Sequence, residues 1–356
     1  MSFSSVPKES KKQINNAGHV LVDAFASEKD QLAATQLVDQ WRACHAYPIN
    51  TFQSTLRTKL TKLSGDPLVA QRLKRMSTIV DKLNRHPTMQ LSTMQDIGGV
   101  RAVLATVADV YTLASEYRDK SRFAHELKDE DDYIQSPKSP DGYRSLHLIY
   151  RYKNKGAPDY DGLLLELQIR TKLQHVWATA VETMGTFLGQ ALKSRQGDQD
   201  WIDFFAVVSS AFAYIEGMPR VPRFAHMTHD ETLRAVADIE TRIKALDKMR
   251  GFSVAVNEIV KGRKSFGKSW HYHLIILNSL AKTLQIKPYT RNEFGKAVAD
   301  YAVVEARAAQ GEKIEPVLVS AGPLEKLRQA YPNFFLDITD FSNKVREITS
   351  IATPVI

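Results

Sequence analysis

The sequence predicts an α+β protein, and three observations lead there. Three apolar strand candidates, VRAVLATV (100–107), SLHLIYRY (145–152) and GLLLELQI (162–169), are separated by helical and polar stretches. Helical periodicity fills the chain before position 65 and again from 171 to 216. Beyond residue 266 a second set of strand and helix patterns begins. At 356 residues and about 150 residues per domain, two domains are expected.

Taken in order, Leu37, Trp41 and Cys44 form one helical stripe and Phe52, Leu56, Leu60 and Leu63 another, before SerGlyAspPro at 64–67 breaks the pattern. The strand at 100–107 leads into a helix to about 118. In 162–169, Leu163, Leu165 and Leu167 face one way while Leu164, Glu166 and Gln168 face the other. A carboxylate on the open face of a strand is a candidate site residue. Helices over 171–190 and 200–216 end at MetProArgValProArg (218–223), and Thr228 with Glu231 forms a capping box that opens a helix to about 249. WHYHLIIL and KTLQIKPY pair around a turn at 278–281, followed by a helix (292–309), a strand PVLVS, a helix PLEKLRQAY and a last helix at 339–348. The expected division is an N-terminal helical segment (1–65), a central domain (66–225), a helical connector with a basic loop (226–265) and a C-terminal α+β accessory unit (266–356).

Composition narrows the function classes. With 43% hydrophobic and 25% charged residues, the chain is neither collagen-like nor disordered. No apolar run approaches the roughly 18 residues of a membrane helix. The polar N-terminus lacks the apolar stretch of a secretory signal, and the lone Cys44 can form no internal disulfide or cysteine-based zinc site, so a cytoplasmic location is expected. The net charge of +8 favours polyanionic partners such as nucleotides, tRNA or a membrane surface.

Four segments are dense in residues that handle phosphate: RLKRMSTIVDKL (72–83), DIGGVR (96–101), PKSPDGYRSLH (137–147) and ELQIRT (166–171). They supply two carboxylates at strand margins, Asp96 and Glu166, the hard oxygen ligands that a Mg²⁺ ion bridging nucleotide phosphates requires. Arg72, Lys74, Lys138, Arg144 and Arg170 balance phosphate charge. Glycines at 98, 99 and 142 let backbone approach a ligand. Tyr143, read as exposed, can stack a base.

These segments, in this order, resemble the synthetase domain of the RelA/SpoT family over roughly residues 60–195. The resemblance implies a nucleotidyltransferase-like mixed β-sheet flanked by helices, and transfer of the β,γ-pyrophosphate of ATP to the 3′-hydroxyl of GDP or GTP, the stringent-response reaction that makes (p)ppGpp. A branch of small toxins on the same scaffold modifies the 3′ end of tRNA, and that acceptor stays open, as does a catalytically retired nucleotide-binding module. Position by position, the resemblance implies ATP binding by Arg72, Lys74, Thr78, Lys82 and Arg101, with the two arginines packing on adenine. It implies Mg²⁺-associated catalytic acids at Asp96 and Glu166, the latter accepting the hydroxyl proton. It places the acceptor against Lys138, Tyr143, Arg144, His147, Gln168 and Arg170.

The chain departs from the family pattern in three places. The usual Lys-x-x-Gly-Tyr is one residue longer here, LysSerProAspGlyTyr, so the Lys138 loop is expected to sit differently. After ELQIRT the chain reads WATAVETM, which leaves open whether Glu182 replaces the family's acceptor-side carboxylate. The hydrolase signature of the long members is not recognisable upstream, so product hydrolysis is not expected.

Periodicity alone also fits 72–83 as one helix with Leu73, Met76, Ile79 and Leu83 inward, whereas the resemblance implies a strand through Arg72 and a helix from near Ser77. His229-Asp230 reads as a helix start and Trp177 and Trp201 as core. The stretch 241–270, with eight basic residues against two acidic for a net of +6, reads as a solvated face or an RNA contact. Expected partners are ATP and a guanine nucleotide or tRNA; no membrane partner is expected, and a homo-oligomer is left open.

Overall fold

The computed structural model describes residues 3–63, 67–121, 123–188, 192, 198–249, 270–278, 281, 283–312, 314–320 and 338–352. Three helices come first: α1 (Lys11–Val20), α2 (Glu28–Cys44) and α3 (Ala46–Leu60). Their inward stripes, among them Ile14, Val38, Trp41, Phe52 and Leu56, share one core with the sheet that follows.

That sheet contains β1 (Leu68–Leu73), β2 (Gly98–Leu104), β3 (Glu126–Asp132), β4 (Leu146–Arg151) and β5 (Leu164–Thr171), in the order β1-β2-β5-β4-β3. β2 and β5 run parallel and every other pair is antiparallel, so the sheet is mixed. α4 (Met76–Arg85) follows β1, and α5 (Val107–Arg118) follows β2 behind a Thr106–Asp109 capping box. The α+β expectation holds, and the ambiguity at 72–83 resolves into a strand, a two-residue turn and a helix.

β3 is the element that periodicity missed. Its sequence, ELKDEDD, is almost wholly charged and none of it is fully buried. It pairs as an edge strand through backbone hydrogen bonds to β4, and charge on an edge is how sheets discourage further pairing.

The second layer consists of α6 (Lys172–Leu188), α7 (Gln199–Glu216), α8 (His229–Ile243) and α10 (Thr339–Ala352). α7 buries twelve of the thirteen positions from Trp201 to Ala213, all but Asp203, as a helix enclosed on all sides should. The Thr228–Glu231 capping box opens α8, which is interrupted at Lys244 in the left-handed region (φ 52°) before helical residues resume over 245–249, so the expected reach to about 249 holds with a break in it. Trp177 and Trp201 are core residues, as the sequence implies.

The C-terminal strands β6 (Trp270–Asn278), β7 (Thr283–Thr290) and β8 (Ile314–Ser320) form an antiparallel sheet in the order β7-β6-β8, with α9 (Phe294–Ala309) packed on it. Grouping 339–348 with this unit is corrected: Phe341, Val345 and Ile348 are buried with Phe204, Phe205 and Phe212 of α7 and with Leu233 and Val236 of α8. Sequence adjacency suggested the first grouping, and the apolar stripe of α10 found a larger surface to cover. The predicted helix PLEKLRQAY and the basic loop 261–268 lie outside the described residues. Among the described residues, no helix is long and apolar enough to cross a membrane.

Candidate active site

Strand alternation builds the site. Register pairs Arg72 with Gly99, Gly99 with Glu166, Arg101 with Gln168, and Gln168 with His147. Directly paired residues share a face of a sheet. Arg72, Arg101, Glu166, Gln168, Arg170 and His147 therefore stand on one face, across four strands. The opposite face carries Val100, Ala102, Leu165, Leu167, Ile169, Leu146 and Leu148, all in the core.

Two polar clusters occupy this face. In the first, Lys74 Nζ donates to Asp96 Oδ2 at 2.7 Å and Lys82 Nζ to Asp96 Oδ1 at 2.9 Å. Burial works to raise the Asp96 pKa, but the two ammonium groups outweigh it and hold the carboxyl far below its usual range. Lys74 is itself 6% exposed. Burial brings its pKa down to about 8 against the pull of Asp96.

The second cluster is a continuous chain. Arg101 Nε donates to Gln168 Oε1 (3.4 Å), Gln168 Nε2 to Glu166 Oε2 (2.7 Å), and His147 Nδ1 lies 2.9 Å from Glu166 Oε1. His147 Nε2 then lies 2.9 Å from the Tyr143 hydroxyl. Burial disfavours charge on His147 and Glu166 alike. The Tyr143 hydroxyl and then Glu166 outweigh this for His147, raising its pKa to about 9, and His147 in turn lowers the Glu166 carboxyl to about 2. Arg170 contacts His175; its pKa is lowered to about 9 by burial first and by repulsion from Arg101 and Arg72. Three guanidinium groups close enough to repel one another call for a polyanion.

Asp96, Gly99, Arg72, Arg101, Glu166 and Gln168 line one cleft. Gly99 sits where a side chain would project from β2 beside Glu166, and a Cβ there would meet only the Glu166 carbonyl oxygen, at 3.8 Å. Thr78 and Lys82 lie on α4, Thr78 in its first turn. Lys138 sits over the rings of Tyr133 (4.4 Å) and Tyr143 (6.0 Å) at the rim.

Two expectations are corrected. Tyr143 is not exposed: its ring packs against the helical core near Trp177 (6.5 Å between centroids), and its hydroxyl is engaged by His147. Arg144 does not join the cluster on this sheet face. Its side chain is buried on the opposite side of the segment, where it donates to Ser209 Oγ (3.0 Å), the Ile134 carbonyl (3.2 Å) and the Pro219 carbonyl. Tyr143 and Arg144, adjacent in the loop before β4, reach different partners, Tyr143 towards His147 and Trp177 and Arg144 towards Ser209. Residues the motifs did not reveal are His175 beside Arg170, Asp131, which the charged edge strand β3 pairs with His147, and Tyr133 just beyond that strand, whose ring meets His147. Among the described residues no group of three or more His, Cys, Asp or Glu side chains is arranged to hold a metal ion.

Residues 71–185 match the family described as "Region found in RelA / SpoT proteins". The chain is similar to two proteins of Bacillus subtilis (strain 168). It is 34% identical to GTP pyrophosphokinase YjbM over 113 residues, 31% of this chain and 52% of that protein. It is 33% identical to GTP pyrophosphokinase YwaC over 113 residues, 30% of this chain and 52% of that protein. The chain thus spans about half the length of the curated relatives it matches. The crystal structure of small alarmone synthetase 1 from Bacillus subtilis, bound to its product pppGpp, aligns at 24% identity over 51% of this chain and 94% of that one, with a TM-score of 0.42. Residues 71–185, the part of this chain that matches that family region, carry all four phosphate-handling segments.

Proposed function

We propose that the chain is a pyrophosphokinase that moves the β,γ-pyrophosphate of ATP to the 3′-hydroxyl of GDP or GTP. The observation that carries this reading is the single sheet face on which Arg72, Arg101 and Arg170 surround two ionised carboxylates, Asp96 and Glu166, within reach of Lys74 and Lys82. The similarity to the two GTP pyrophosphokinases supports the same reading.

In this reaction the acceptor 3′-oxygen attacks the β-phosphorus of ATP. The bond from that phosphorus to the oxygen bridging the α-phosphate breaks, and AMP leaves. Little covalent work falls to the protein, so catalysis is alignment and charge stabilisation. Arg72 and Arg101 hold the donor base and Lys74, Thr78 and Lys82 its phosphates. Glu166, as an ionised carboxylate fixed by His147 and Gln168, orients the hydroxyl and takes its proton as the new O–P bond forms. Gln168, Arg170 and Lys138 hold the acceptor, with the Tyr143 ring beside its base.

The donor set fits Mg²⁺: Asp96 and Glu166 are hard oxygen ligands lining one cleft, and few protein ligands suit an ion that keeps water and phosphate oxygens in its shell. Bound there, Mg²⁺ would neutralise triphosphate charge. Both carboxylates now face protein donors, so metal binding has to displace contacts such as Lys82 on Asp96 or Gln168 on Glu166.

The test is to incubate the full chain and Mg²⁺ with γ-labelled ATP, offering GDP, GTP, ATP and deacylated tRNA separately. Label on GDP or GTP with equimolar AMP is the expected result. Label on tRNA alone would move the acceptor to RNA, and no transfer to any acceptor would favour a retired nucleotide-binding module.

A further inference from the structure

The C-terminal unit reaches back to the turn that joins β1 to α4. Glu305, on α9, accepts the backbone N–H of Met76, the first residue of α4, through Oε1 at 3.0 Å. Its other oxygen is 2.8 Å from Arg42 Nη1 of α2. Arg42 Nε in turn donates to the Lys74 carbonyl (3.0 Å), and Tyr301 donates its hydroxyl to Glu305 Oε1 (2.8 Å). This is a built contact. Arg42 and Tyr301 are 4% and 6% exposed, and the side chain of Glu305 is 11% exposed.

Its position gives it consequence. The gripped turn, 74–76, follows Arg72, contains Lys74 and precedes Thr78 and Lys82, the residues assigned above to the donor. A carboxylate on the leading N–H of a helix occupies ground that favours an anion. At the same time the cleft beside this turn is small. The space among Arg72, Asp96, Arg101 and Glu166 is about 20 Å³, room on the order of one water molecule and far below the hundreds of Å³ of a nucleotide pocket. Both oxygens of Asp96 are capped by lysines that the phosphates need.

We propose that Glu305 is an intramolecular latch: its carboxylate stands in for donor phosphate at the start of α4 and fixes the β1–α4 turn where the donor cleft is too small for a nucleotide, so that donor entry requires α9 to release this turn. The proposal rests on the donor assignment made above. It makes the C-terminal unit a regulator of donor affinity, acting through one carboxylate and not through the acceptor face.

The experiment measures equilibrium binding of AMPCPP and, separately, of inorganic triphosphate to the full chain and to its Glu305→Gln, Glu305→Ala and Lys74→Ala variants. Glu305→Gln keeps the shape and hydrogen-bonding capacity of the side chain and removes its charge, which guards against a failure to fold. Amide exchange of Met76 reports whether the turn has been released. The expected result is AMPCPP binding at least five-fold tighter in both Glu305 variants with faster exchange at Met76, and GDP binding unchanged. Unchanged or weaker AMPCPP binding in a folded Glu305 variant overturns the latch. If inorganic triphosphate gains affinity while AMPCPP does not, or if Lys74→Ala leaves AMPCPP binding intact, the donor assignment is at fault and the latch is overturned as a control of ATP.

Discussion

The Glu166 carboxylate lies 2.9 Å from Nδ1 of His147, a residue on the neighbouring antiparallel strand whose other nitrogen is held by Tyr143. This pairing fixes the carboxylate that is proposed to receive the acceptor hydroxyl. His147→Ala should therefore lower kcat by about 10–100-fold, the worth of a charge-assisted hydrogen bond, with donor KM within a few-fold of the parent. Steady-state kinetics with ATP varied at saturating acceptor check this, and an effect confined to donor KM would contradict it.

Asp96→Asn is expected to abolish transfer and also to destabilise the fold. Lys74 is buried against this carboxylate, so the Asp96 charge supports the core as well as any metal. Stranding that ammonium should cost about 1–3 kcal/mol. Urea denaturation measures it, and Lys82→Ala, whose ammonium is more exposed, should cost less.

For Arg144 the expectation is reversed from a ligand contact to a structural one. Arg144→Ala removes hydrogen bonds to Ser209, Ile134 and Pro219, a loss of about 3 kcal/mol. The melting temperature should fall while KM for the acceptor in the folded fraction stays near the parent value. A large acceptor KM change with no loss of stability would return Arg144 to the site.

Arg101→Ala should weaken donor binding, and Tyr143→Ala acceptor binding, each by ~1–3 kcal/mol if a base stack is lost. Tyr143→Phe separates two roles of that side chain, because it keeps the ring and deletes the hydroxyl on His147. Separate titrations of ATP and of GDP read the difference.

Acid stability offers a test away from the site. His45 is buried with Nδ1 2.7 Å from the Trp41 carbonyl, and burial lowers its pKa to about 4. The unfolded chain, with an ordinary histidine, binds the proton first as pH falls, so folding loses stability between about pH 6.5 and pH 4. His45→Gln should recover about 2 kcal/mol of that loss at pH 5 relative to pH 7. The measurement compares the change in unfolding free energy between the two pH values for parent and variant, and equal changes would refute the assignment.

Much of the central sheet was legible because its determinants are local. Alternation in GLLLELQI places Glu166 and Gln168 on one face and the leucines in the core, which follows from the two-residue period of a strand. The Thr228–Glu231 capping box marks its helix start in the same way. Other features had no local signal. β3 is polar because it is an edge, and an edge strand is specified by its neighbour's free backbone groups and not by its own hydrophobicity. Tyr143 and Arg144 stand side by side in the sequence and were read together, but the packing of Arg144 under Ser209 of α7 sends them to opposite sides.

By itself the sequence determined the order of the four phosphate-handling segments and the parity of β5, which puts Glu166 and Gln168 on the face away from the core leucines. Only the tertiary structure decided what each of those groups is paired with. Lys74 and Lys82 cap Asp96, His147 holds Glu166, and Glu305, 229 residues downstream, sits on the amide of Met76. Such pairings depend on distances between elements far apart in the chain, and burial makes them strong by removing the water that would otherwise satisfy each charge alone.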